Sequence, residues 1–126
     1  MSLNRRLRQL AVGEQKYLWR VRHRHAPGCV EVLSVRKVGS SSGRSLHFGS
    51  EPGFTVPAGG VDQAGAVGAS GGRWLNLNEP GVVRAFVDAL TVADWPLDDR
   101  RFIHVIGWTW FDDAYQRRTS AVATRS

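Results

Sequence analysis

Residues Trp74 to Leu90 read WLNLNEPGVVRAFVDAL. Leu75 and Leu77 alternate with Asn76 and Asn78, the pattern of a half-buried strand. Asn78 is then placed to cap a helix, and Pro80 falls in the first turn, where its missing N–H costs nothing. Val82, Val83, Phe86, Val87 and Leu90 follow at helical spacing and form one apolar stripe. Trp95-Pro96 closes the helix, because the residue before a proline is pushed out of the α region. A strand followed by one amphipathic helix over about 80–95 is therefore expected, and the rest of the chain must cover that stripe.

Upstream, Tyr17 to His25 alternates. Tyr17, Trp19, Val21, His23 and His25 share one face of a strand; Leu18, Arg20, Arg22 and Arg24 share the other. Ala26-Pro27-Gly28 is a turn, and Cys29 to Val38 is rich in β-branched residues, so 17–38 is expected to be a hairpin. Ser45 to Phe48 follows as a short strand. Downstream, Phe102 to Phe111 is apolar on both faces, with Phe102, Ile106, Trp108 and Trp110 on one and Ile103, Val105 and Phe111 on the other. That pattern predicts a central strand, with Gly107 at a bulge.

Between these segments, residues 49–72 hold eight of the fourteen glycines. A glycine-rich loop this long is expected to be mobile or functional, with Phe54-Thr55-Val56 as a brief strand inside it. Residues 1–12 are expected to form a basic N-terminal arm or short helix, and 116–126 a loose C-terminal tail. The sum is one domain of class α+β: a mainly antiparallel sheet of about five strands, with one amphipathic helix packed on one face. With 42% hydrophobic residues in 126, such a domain has a core to bury.

The charge is uneven. Residues 1–50 carry ten Lys/Arg against two acids, residues 51–100 three against seven, and residues 101–126 four against two. The excess that makes the chain +6 overall thus lies in its first half, and points to an anionic partner. No apolar run is long enough to span a bilayer. One cysteine, Cys29, excludes an internal disulfide framework and points to a reducing, cytoplasmic setting.

Catalytic signatures are sparse. Gly68-Ala69-Ser70-Gly71-Gly72 matches G-x-S-x-G, but a strand follows it where a nucleophile elbow requires a helix, and the chain is too short for a hydrolase-sized sheet. No phosphate-binding G-x-x-x-x-G-K-[ST] is present. His104 between Ile103 and Val105 reads as a core or edge histidine. Asp98-Asp99 and Asp112-Asp113 read as solvated turn acids.

Two resemblances stand beside these readings. Trp74 to Val83 resembles a W-L-N-x-x-E-P-G-x-V block of small bacterial proteins and implies no activity. His23-Arg24-His25, then Glu31, then Pro57-Ala58-Gly59-Gly60-Val61-Asp62 resemble the two cupin motifs. That resemblance implies one divalent transition metal held by His23, His25, Glu31 and Asp62 in a metal-binding small enzyme. It departs from the family in the His25–Glu31 spacing, one residue too long, and in having Asp62 where the family has histidine.

The leading expectation is a small non-enzymatic binding module that needs no cofactor. Arg20, Arg22 and Arg24 form its basic strand surface, Trp108 and Trp110 supply aromatic contacts, and the partner is an acidic protein or nucleic acid. Homodimerisation stays open.

Overall fold

The computed structural model describes residues 7–24, 28–56, 65–93, 95–96 and 98–125. The chain is α+β, and the described residues form two sheets and two α-helices. The larger sheet has five strands in the order β1-β2-β3-β4-β8: β1 (Arg8–Val12), β2 (Gln15–Arg24), β3 (Val30–Lys37), β4 (Gly43–Gly49) and β8 (Phe102–Ile106). β1 to β4 are a run of antiparallel neighbours, and β8 joins β4 in parallel. The smaller sheet is β5 (Phe54–Thr55), β6 (Ala66–Ala69) and β7 (Arg73–Asn76), antiparallel throughout. Helix α1 (Pro80–Ala93) and helix α2 (Phe111–Arg125) pack against each other.

The hairpin of β2 and β3 forms as its alternation predicts, with His23 opposite Glu31 and Trp19 opposite Val35. Tyr17, Trp19, Val21, Leu33, Val35, Leu46 and Phe48 enter one buried cluster with Val82, Val83, Phe86, Val87 and Leu90 of α1. Phe48 and Phe86 meet edge to face at 5.5 Å. The α1 stripe is thus buried at each position the spacing named. The helix begins one residue later than the Asn78 cap implies: Pro80 is its first residue, and the Glu79 carbonyl accepts from the Val83 amide at 3.1 Å.

Four expectations are corrected. Arg8–Val12 is an edge strand rather than a basic arm or short helix, because Gln15–Arg24 offers it a complete ladder. The glycine-rich loop is in part a sheet: Ala66–Ala69 pairs on both sides, with Phe54–Thr55 and with Arg73–Asn76. Residues 57–64, including Asp62, lie outside the described residues.

The last apolar run is not one central strand. β8 ends at Ile106 and lies at the sheet edge, with Phe102 45% and Ile106 64% exposed. Gly107 sits where a β-carbon would come within 2.4 Å of the Phe48 ring. The chain turns there through a 3₁₀ turn, Gly107–Trp110, and enters α2. Much of the expected loose tail, 116–126, is consequently helical. Asp112 and Asp113 occupy the first turn of α2, where carboxylates favour helix starts. Phe111 and Ala114 are buried, and Tyr115 packs against the same core at helical spacing.

The covered face of the larger sheet also holds charge, and that charge is compensated. Arg44, fully buried, donates to the Asp99 carboxylate at 2.7 Å and lies 5.2 Å from the Trp95 ring centre. Lys37 donates to the Pro96 carbonyl at 3.1 Å, and the Trp95 indole to the Ser42 hydroxyl at 2.8 Å. Hydrogen bonds from Arg101, then from Arg44, hold the Asp99 carboxyl well below the ordinary carboxylate range. This network ties the segment between α1 and β8 to the sheet.

Candidate anion-binding face

Alternation on each strand leaves a second face on the larger sheet, turned away from the helices. The registers set its residues in rows across four strands. Leu18 pairs with Arg36, Arg36 with Gly43 and Gly43 with Phe102. The next row is Arg20, Ser34, Ser45 and His104, and the one after it Arg22, Val32, His47 and Ile106. Arg24 continues the line along β2 opposite Val30.

Small residues occupy the middle of this grid. Ser34 and Ser45 lie in a depression of about 290 Å³ that Leu18, Arg20, Arg22, Arg36, Phe102 and His104 surround. Gly43 is required: a β-carbon there would lie 2.4 Å from the Phe102 ring, so the ring rests over the bare backbone. Leu7, half exposed, closes the rim beside Arg20. Among the described residues, no acidic side chain lines the depression.

The electrostatics follow. Among the described residues, Arg20, Arg24 and Arg36 form no ion pair with a carboxylate. His47 Nε2 lies 3.0 Å from both Ser45 Oγ and His104 Nδ1. Burial pushes the His47 imidazole below its ordinary value, and neighbouring His104, Arg24 and Arg22 push it the same way. The part of that shift that comes from positive neighbours, beside the larger part from burial, marks a face that disfavours a further cation and favours an anion. Ser45 and His47 do not make a nucleophile–base–orienter triad. Both neighbours meet the same ring nitrogen, whereas a triad uses one nitrogen for the nucleophile and the other for the orienting group.

Of the residues the sequence nominated, Arg20, Arg22 and Arg24 lie together on this face. Trp108 and Trp110 do not join them. The Trp108 indole donates to the Gly49 carbonyl at 2.7 Å, and its ring stacks on Phe54 at 4.6 Å in the core; Trp110 packs against the same cluster. The exposed tryptophan is Trp74, at 49%, on β7. Sequence reasoning missed Ser34, Arg36, Ser45, Phe102 and His104. The signal was weak: Phe102 and His104 follow β8 alternation, but their neighbours depend on a parallel register with β4.

His23 and Glu31 meet across the hairpin, Nδ1 to Oε2, and Glu31 is fully buried. His25 and Asp62, the other two residues of the metal alternative, lie outside the described residues. Among the described residues no three His, Cys, Asp or Glu side chains converge to hold a metal, and no helix is long and apolar enough to cross a membrane.

No family model, no curated protein and no solved structure matches this chain. The reading of its function therefore rests on the geometry of the open face.

Proposed function

We propose that the protein is a small non-enzymatic binding module whose open sheet face takes an anionic partner, an acidic protein or a nucleic acid. One observation carries this: Arg20, Arg22, Arg24 and Arg36 share one face of the sheet, and among the described residues the depression beside them has no acidic lining. Such a row neutralises a line of negative charge without reading its sequence. The test is a titration of oligonucleotides and acidic peptides at two salt concentrations, with the wild type and with Arg20, Arg22 and Arg24 all changed to Ala. Binding to at least one polyanion is expected at low salt, weakening as salt rises and lost in the triple variant. Polyanion binding that survives in the triple variant would move the site elsewhere.

The contact between His23 and Glu31 favours a second reading, a divalent metal on His23, His25, Glu31 and Asp62. The existing hydrogen bond engages His23 Nδ1 and Glu31 Oε2, while Glu31 Oε1 has no hydrogen-bond partner among the described residues. Metal analysis of the purified protein decides it, since a dedicated site yields about one transition metal per chain.

A further inference from the structure

We infer that the depression at Ser34 and Ser45 seats one base of a single-stranded nucleic acid whose phosphates run along Arg20, Arg22 and Arg24. This inference rests on the anionic-face reading above and names the partner for that face.

Three features converge. The first is period. Alternate residues on a strand recur at about 6.8 Å, so the three arginines offer charges at a spacing suited to successive phosphates of an extended strand. The second is the second wall. β8 lies three strand spacings from β2, about 14 Å across the sheet, and there the character changes from arginine to aromatic. Phe102 is half exposed with its ring over Gly43, and the His104 ring stands 6.1 Å from it, edge to face. A linear polyanion of any kind would use the arginines. Only one that carries a flat ring beside its charge would use the phenylalanine too. The third is size and chemistry. The depression of about 290 Å³ sits at the low end of small-ligand pockets, roughly 300 Å³ upward, which suits one heterocycle rather than a stack. The Ser34 and Ser45 hydroxyls on its floor can each donate and accept, as a base edge demands. An acidic peptide satisfies the arginines and can also hydrogen-bond the hydroxyls, but its carboxylates leave the Phe102 ring without a flat partner.

A duplex hides its bases, so it would reach the arginines alone. The partner is accordingly single-stranded, and sequence tolerance is expected because every base has a π face.

The experiment compares four probes of matched charge on the full chain at low salt: an oligothymidylate, an abasic strand with the same phosphates, a duplex, and an oligoglutamate. The oligothymidylate is expected to bind about tenfold more tightly than the abasic strand, the usual worth of one stacked base. Phe102→Ala should erase that difference and leave abasic binding unchanged. Trp74→Ala, which removes the exposed tryptophan of the other sheet, should change neither. Thermal melts confirm that both variants are folded; because both side chains are about half exposed, the melts should match the wild type. Equal binding of the abasic strand or the duplex overturns the base pocket and leaves the anionic face standing. Preference for oligoglutamate overturns it in favour of an acidic protein. Loss of the base preference in Trp74→Ala rather than Phe102→Ala places the contact on the wrong sheet. Silence from all four probes removes the inference and the anionic-face reading together.

Discussion

The two faces of the larger sheet carry the same residue types and treat them in opposite ways. On the covered face, Arg44 has Asp99, Lys37 has the Pro96 carbonyl, and His23 has Glu31. On the open face, Arg20, Arg24 and Arg36 have no carboxylate among the described residues, and two histidines lean on each other. The covered face must compensate each charge, because an unpaired charge away from water costs several kcal/mol. The open face faces no such demand, since water screens its arginines until a partner displaces it. The count of Lys and Arg in a sequence therefore overstates the surface charge. In the first half of this chain part of it holds the fold together.

The largest effect tests the covered side itself. Phe86 is fully buried against Phe48. Phe86→Asp should unfold the domain, because burying a lone carboxylate costs roughly what holds a small domain folded, on the order of 5 kcal/mol or more. A cooperative melt near that of the wild type would show that the α1 stripe is not the core.

Next comes charge within the covered face. Arg44→Ala should lower the melting temperature more than any single change of Arg20, Arg22 or Arg24, since it strips a partner from Asp99 and support from Trp95. Parity among the four would erase the contrast between the faces. The same pair gives a pH sign. Asp99 has a folded pKa below its unfolded one, so the stability it contributes is complete above the unfolded value, near 3.8, and is lost as pH falls through the depressed one. Asp99→Asn should flatten that acid limb in denaturant melts taken across it.

On the open face, single Arg→Ala changes should leave stability within about 0.5 kcal/mol. If the partner is nucleic acid, each should flatten the slope of log affinity against log salt by about one unit. Slopes that do not change would place the phosphates elsewhere.

The smallest effect concerns His47. Its folded pKa is lowered, so the unfolded chain takes up a proton first, and stability falls as pH drops from the unfolded value near 6.5 to the folded one. A bound anion opposes the charge of Arg22 and Arg24 and should raise that pKa, so binding should tighten as pH falls through this window. His47→Gln should remove the pH dependence of binding while leaving the salt dependence. A pH profile that stays unchanged in His47→Gln would assign the titration to His104 or to the ligand.

The hairpin of β2 and β3, the α1 stripe and the arginine row were legible because each rests on a local period, 2 or 3.6 residues, that a short window of sequence carries complete. α2 was not, because its buried stripe is short: Phe111, Ala114 and Tyr115 sit in an otherwise polar helix, and the residues before it continue a strand pattern. The break comes from Gly107 meeting Phe48, a residue far away in sequence. β6 was hidden for a related reason. Ala66–Ala69 has little β propensity of its own and is held by partners on both sides.

The sequence by itself determined which side chains share a side of each strand. Only the tertiary structure decided which side of the sheet is covered, that β8 lies parallel to β4, and that Ser34, Ser45, Gly43, Phe102 and His104 therefore meet beside the arginines. Alternation is a property of one strand, whereas a face and its depression belong to several strands in register. Register is set by what packs across the whole domain.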